Sequence, residues 1–204
     1  MATEKQFEAL RGYSEIMREV SQRLWWLDRI LTGKTGMSAL LVRDSGFLQV
    51  RMICELIAYG CLMVHGDIEE TQTPKLQKEY QADKIMRQLA KLHPDFFPQA
   101  HVKIAVGPGR WHFEMMERAL NQREFGEFYG RCGDALHRGS LAKIIAERGT
   151  LALDLTSLNA AAETVKRTIC CHSIALLDGG TRFLCDLTPT IKGAVNIVIG
   201  EAQR

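Results

Sequence analysis

The chain has 204 residues, enough for one domain with its own hydrophobic core, and it contains 46% hydrophobic and 25% charged residues. These are ordinary values for a globular protein, and they exclude the disordered and collagen-like classes. The formal net charge is +2, from 26 Lys+Arg and 24 Asp+Glu. This balance neither requires nor excludes a nucleic-acid partner, because a local basic surface is sufficient to bind one.

Two long helices are predicted in the first third of the chain. Apolar residues recur in steps of three and four over residues 4–31, which indicates a long amphipathic helix. A second helix is predicted over residues 41–64, and its second half is apolar on nearly all sides, as in the middle of a bundle. Arg51 and Glu55 lie one turn apart in this helix and can neutralise each other. Because either charge would be costly inside a bilayer, no membrane span is expected.

A third helix is predicted to begin at Thr73 and Pro74, which supply an N-cap and a favourable first helical residue. Its predicted apolar side consists of Leu76, Tyr80, Ile85, Leu89 and Leu92. The prolines within residues 93–98 end it. Apolar and polar residues then alternate, which predicts an antiparallel β-hairpin over residues 102–115.

The second half of the chain returns to helical periods. Asn121 or Gln122 is predicted to open a helix that ends near Gly139. Further helices are predicted over residues 141–148 and 154–172.

The C-terminal part alternates again, with a predicted hairpin over residues 173–187 and a strand over residues 195–199. The predicted fold class is mainly α, a helical bundle with a small antiparallel β-sheet. We expect a single domain, 1–204. Its bundle would cover residues 4–172 and carry the hairpin insertion at 102–115, and a β segment at 173–200 would follow.

The cysteines indicate neither a metal site nor a disulfide framework. They occupy positions 54, 61, 132, 170, 171 and 185, without any C-x-x-C pair. We therefore predict reduced thiols, no zinc and no cofactor. The N-terminal segment lacks the apolar core of a signal peptide, so a cytoplasmic location is expected.

The best candidate for a chemical site lies in the later helical part of the chain. A helix would place Arg131, Asp134 and His137 along one side, because each is three residues from the next. Imidazole moves protons near neutral pH and guanidinium holds phosphate with two parallel hydrogen bonds, as a metal-free phosphodiester cleavage requires. Arg138 and Ser140 follow directly and are candidate substrate-binding residues. The alternative is a solvated helix end, where Asp134 and Arg138 form an ordinary surface ion pair.

Two long helices followed by a later helix that ends in Arg131-x-x-x-x-x-His137 resemble the HEPN family, the higher-eukaryote and prokaryote nucleotide-binding domains. The loose signature of that family is an arginine and a histidine separated by four to six residues, and here five residues separate them. Residues 47–58 and 92–98 are also similar to bacterial proteins of this helical type. The resemblance covers about residues 1–170.

This resemblance implies a metal-independent endoribonuclease of the toxin or antiphage type, paired as a homodimer so that two motifs meet across a cleft. Arg131 would hold the scissile phosphate, and His137 would serve as the acid or base. Active members usually place Asn, Asp or His directly after the arginine, whereas here that position is Cys132. Gly130 and Gly133 are expected to loosen the helix. The alternative is a non-catalytic HEPN-like module that binds RNA, a nucleotide or a protein partner.

Overall fold

The computed structural model describes residues 3–137, 155–178, 180–187 and 194–201. Its helices are α1 (Glu4–Leu31), α2 (Ala39–Val64), α3 (Pro74–Gln77), α4 (Ala82–Leu92), α5 (Gln122–Leu136) and α6 (Leu155–Ile169). Its strands are β1 (Gln99–Gly107), β2 (Arg110–Met115), β3 (Cys171–Ala175), β4 (Thr181–Asp186) and β5 (Asn196–Glu201). The strands form one antiparallel sheet in the order β2-β1-β3-β4-β5. The prediction of a mainly helical protein with a small antiparallel sheet is confirmed.

Helix α2 is the centre of the bundle and contacts α1, α4, α5 and α6. Close packing against α1 depends on Gly60, where a Cβ atom would lie 2.8 Å from the ring of Tyr13. The second half of α2 is buried on nearly all sides, as its apolar composition predicts. Among the described residues it is the one helix long and apolar enough to cross a membrane, and 61% of its most apolar window is buried inside the protein.

The third predicted helix is interrupted, which corrects the prediction of one continuous helix from Thr73. Pro74 is the first residue of the short α3, but the Thr73 side chain makes no capping hydrogen bond. The Glu79 carboxylate accepts hydrogen bonds from the backbone N–H groups of Tyr80 and Gln81, both at 3.0 Å. This local side-chain bonding competes with the helical ladder. Tyr80, predicted on the apolar side, is therefore 68% exposed.

The ends of the later helices also differ from the prediction. Helix α5 ends at Leu136, not near Gly139, and the predicted helix over residues 141–148 lies outside the described residues. Helix α6 ends at Ile169, because the following segment pairs with β4 as strand β3. His172 therefore lies in a strand and not, as predicted, in a helix.

His172 joins the sheet to the bundle through a buried pair of hydrogen bonds. Its Nδ1 lies 2.8 Å from the carbonyl oxygen of Ile169, and its Nε2 lies 2.5 Å from the hydroxyl of Tyr13 on α1. Because a carbonyl oxygen only accepts, Nδ1 carries the proton and Nε2 accepts from Tyr13. Burial lowers the pKa of His172 to about 4, so the ring is neutral at pH 7.

Acidification should destabilise the protein through His172. The ordinary histidine pKa is 6.5 and the folded value is about 4, so between these values only the unfolded chain binds the proton. The contribution of the neutral His172 ring to the free energy of unfolding is fully present above pH 6.5. Roughly 3 kcal/mol of it is lost as the pH falls to 4. Urea unfolding between pH 7 and pH 4 measures this loss. His172→Gln should show a shallower pH dependence, and equal slopes in the two proteins would contradict the assignment.

Candidate functional site

Helix α5 carries the predicted motif, and its first turn is fixed by a capping box. The side chain of Asn121 accepts hydrogen bonds from the backbone N–H groups of Arg123 and Glu124, at 2.9 Å and 3.0 Å. Of the two residues predicted to open this helix, Asn121 and Gln122, Asn121 is the N-cap and Gln122 the first helical residue. The buried positions of α5 are Phe125, Phe128, Tyr129, Cys132 and Gly133. These residues face the bundle, so the opposite side of α5 faces solvent.

The solvent-facing side of α5 carries Arg131 and Asp134, and His137 is exposed as the C-cap residue. The Arg131 side chain is 67% exposed, and its Nη1 lies 3.9 Å from Oε2 of Glu127. The backbone N–H of His137 donates to the carbonyl of Asp134 at 3.1 Å, and the chain leaves the helix there. Arg131 and Asp134 thus share one exposed side, with His137 just beyond it.

Arg138 and Ser140, the predicted substrate-binding residues, lie outside the described residues. The roles assigned to Arg131, Asp134 and His137 remain predictions.

Behind the exposed motif, a network joins α5 to α2. Arg51 Nη2 donates to the hydroxyl oxygen of Tyr129 at 2.7 Å, and that hydroxyl donates to Glu55 Oε1 at 2.8 Å. The predicted Arg51–Glu55 pair is confirmed, with 3.4 Å between Nε and Oε1. The guanidinium carbon also lies 4.3 Å from the centre of the Tyr129 ring. Burial, followed by the hydrogen bond to Glu55, raises the pKa of Tyr129 well above its ordinary value, so its hydroxyl remains a donor.

Gly133 makes room for this network. The Nη1 atom of Arg51 occupies the space that a Cβ atom on Gly133 would need. At Gly130, one turn earlier, a Cβ atom would meet no other atom within 4 Å. Helix α5 continues without interruption through both glycines, although the sequence suggests a loosened helix. The reason for a glycine at position 133 is therefore the close approach of Arg51.

Cys132 follows Arg131 at the position where active HEPN members usually carry a polar residue. It is buried, and burial raises the pKa of its thiol to about 11. Cys132 is therefore a neutral residue packed between α5 and the bundle. The six cysteines are free thiols. Among the described residues, no group of three or more His, Cys, Asp or Glu side chains is placed to hold a metal ion.

A groove of about 1130 Å³ lies beside α5, with α4 as its other wall. Its basic lining residues include Lys84, Arg87, Lys91 and Arg123, and its acidic lining residues include Glu79, Asp83 and Glu127. The groove therefore carries charges of both signs. Glu127 also lies 3.9 Å from Arg131, so the groove adjoins the exposed motif.

Comparisons with protein-family models, with curated proteins and with solved structures return no match for this chain. The HEPN family therefore stays a resemblance, carried by the Arg131-to-His137 spacing and the order of the helices.

Proposed function

We propose that the protein is an HEPN-like effector that cleaves RNA without a metal ion, using Arg131, Asp134 and His137. The observation that carries the proposal is the two-sided character of α5. Its motif residues are exposed, while its opposite side is fixed on α2 by hydrogen bonds of 2.7 Å and 2.8 Å through Tyr129. A large substrate needs an accessible site, and accurate positioning needs a rigid support.

The chemistry needs few protein groups. The 2′-hydroxyl of RNA attacks the adjacent phosphorus atom, and the 5′ oxygen of the next nucleotide leaves. Arg131 holds the phosphate, since its 3.9 Å contact with Glu127 is too long to compete with a bidentate phosphate contact. His137 accepts the proton of the attacking hydroxyl or donates one to the leaving oxygen. Asp134 positions one of these two side chains.

Self-association belongs to this proposal, because two motifs facing each other would supply one histidine as base and another as acid. Symmetric pairs are the commonest oligomers. Trp25 and Trp26 on α1 stack with 5.8 Å between ring centres, and the exposed Trp26 offers apolar area for contact with a second copy.

Binding without cleavage is the second candidate function. The groove between α4 and α5 favours it, because its paired charges could hold an RNA, a nucleotide or a protein segment without any chemical step. Cys132 favours it as well, since a buried thiol replaces the polar residue usual in active members.

The first test is cleavage of mixed single-stranded RNA in the presence of EDTA. We expect wild-type protein to cleave and His137→Ala to be slower by about 10²- to 10⁴-fold, the usual contribution of a positioned acid–base group. Arg131→Lys should stay impaired, because an ammonium group lacks two parallel donors, and Asp134→Asn should lose less.

The matched control is His112→Ala, which removes an exposed histidine of β2 and should keep the wild-type rate. Equal rates for wild type and His137→Ala would refute catalysis by His137. Failure of the wild type to cleave any of a diverse set of RNAs would leave binding as the better candidate.

The second test concerns pairing. Light scattering at micromolar concentration should give about twice the chain mass of 23.0 kDa. An excess of His137→Ala chain mixed into wild-type protein should then lower the cleavage rate by more than the reduced fraction of wild-type chains explains. The reason is that mixed pairs contain one defective motif. A monomer by scattering, or a loss that only matches dilution, would rule out a site shared between two chains.

A further inference from the structure

The sheet has two unlike faces. Residues Ile174, Phe183 and Cys185 belong to the buried core, and with His172 they form the face that packs on the helices. Strand alternation places the neighbouring residues of β1 to β4 on the opposite face. We call this the outer sheet face and define it by Lys103, Trp111, Phe113, Ser173 and Arg182. Of these, Trp111 is exposed, Lys103, Phe113 and Arg182 are half-buried, and Ser173 is buried. The registers Lys103↔Phe113 and Ala105↔Trp111 place β1 and β2 side by side on it.

One half of the outer sheet face is aromatic. Trp111 is 50% exposed, and Phe113 lies two residues further along β2 on the same side. The ammonium group of Lys103 lies 4.3 Å from the centre of the Trp111 ring and also pairs with Asp186 on β4. Because the Lys103 ammonium lies over one side of the Trp111 ring, a flat ligand would stack on the other side.

The other half of the outer sheet face holds an oriented guanidinium. Arg182 Nη1 donates to Gln99 Oε1 and to Ser173 Oγ, both at 3.0 Å, and His101 Nε2 lies 2.8 Å from the same hydroxyl. Within the described residues Arg182 forms no ion pair.

The accessible charge of this face is therefore positive. Among its described positions the acidic residue is Asp186, which is buried and paired with Lys103. Arg182 has no such neutralising partner there, so its charge remains available to an anion.

We infer that the outer sheet face binds single-stranded RNA, with unpaired bases stacked on Trp111 and Phe113 and a phosphate held by Arg182. Aromatic side chains beside a cationic track are the general means by which proteins bind single strands, because every unpaired base offers a flat surface and every phosphate a charge. Duplex RNA is excluded, since its bases are already stacked. The inference rests on the proposed action on RNA and adds a surface that holds the substrate away from α5.

The test is fluorescence anisotropy with a labelled oligouridine of about 12 nucleotides, within the site sizes known for single-strand binders. It uses His137→Ala protein so that the probe is not cut. In that background Trp111→Ala should weaken binding by about 5- to 150-fold, the usual effect of losing one stacked base. Arg182→Gln should weaken binding and lower the slope of log affinity against log salt by about 0.7.

The matched control is Tyr80→Ala, which removes an exposed aromatic residue between α3 and α4 and should leave affinity unchanged. Circular dichroism checks that each variant folds. If Trp111→Ala does not fold, Arg182→Gln tests the inference independently. Equal affinities of the Trp111→Ala and Tyr80→Ala proteins, or equal affinity for a duplex of the same length, would overturn the inference.

The two proposals fail separately. Cleavage that depends on His137, combined with binding that ignores Trp111 and Arg182, would overturn only the outer-face inference. Binding that depends on Trp111, without cleavage by the wild type, would overturn only the proposed cleavage.

Discussion

The accommodation of Arg51 is the constraint on which the arrangement of the bundle depends. Arg51 belongs to a central helix that is otherwise nearly apolar, and a partly buried charge is costly unless it is paired and hydrogen-bonded. Glu55 supplies the opposite charge one turn away, and the Tyr129 hydroxyl bonds to both groups. Gly133 leaves space for the guanidinium against α5. These contacts come from two helices, so they fix the rotation of α5 about its axis.

That rotation decides what α5 presents to solvent. Phe125 lies in the core and Arg131 lies outside, and turning the helix would expose the first and bury the second. An exposed phenylalanine and a buried guanidinium would both be costly. The network behind α5 therefore maintains the exposure of Arg131 and Asp134, whichever of the proposed functions they serve. The orientation of the outer sheet face is fixed in a similar way. The opposite face of the sheet is bound to α1 by the hydrogen bond between His172 and Tyr13.

Much of the fold follows from local sequence signals. The periods of α1 and α2, the Asn121 cap and the alternation in β1 and β2 all predict their elements correctly. The break near Glu79 is missed, because apolar period alone does not reveal a carboxylate that bonds the following backbone N–H groups. The end of α6 is misplaced, because a buried strand and a buried helix are similarly apolar. The order of the sheet depends on pairings between distant segments and has no local signal.

Local spacing also predicts part of the candidate site. The spacing of Arg131 and Asp134 gives a shared helical side, and the spacing of Arg51 and Glu55 gives their pair. The contribution of Tyr129 is not predictable in this way, because 74 residues separate it from Glu55. The glycine at position 133 could have suggested a close approach, but the sequence does not say which side chain approaches.

The most direct test of the constraint compares the free energies of unfolding of Gly133→Ala and Gly130→Ala, measured in urea. Alanine is the better helix former, so Gly130→Ala, in open space, should stabilise the protein by about 0.5–1 kcal/mol. Gly133→Ala should instead destabilise it by about 1–3 kcal/mol, because the new methyl group moves the Arg51 guanidinium away from its hydrogen bond with Tyr129 and its pairing with Glu55. Equal stabilisation by the two substitutions would show that Arg51 does not hold α5 in place.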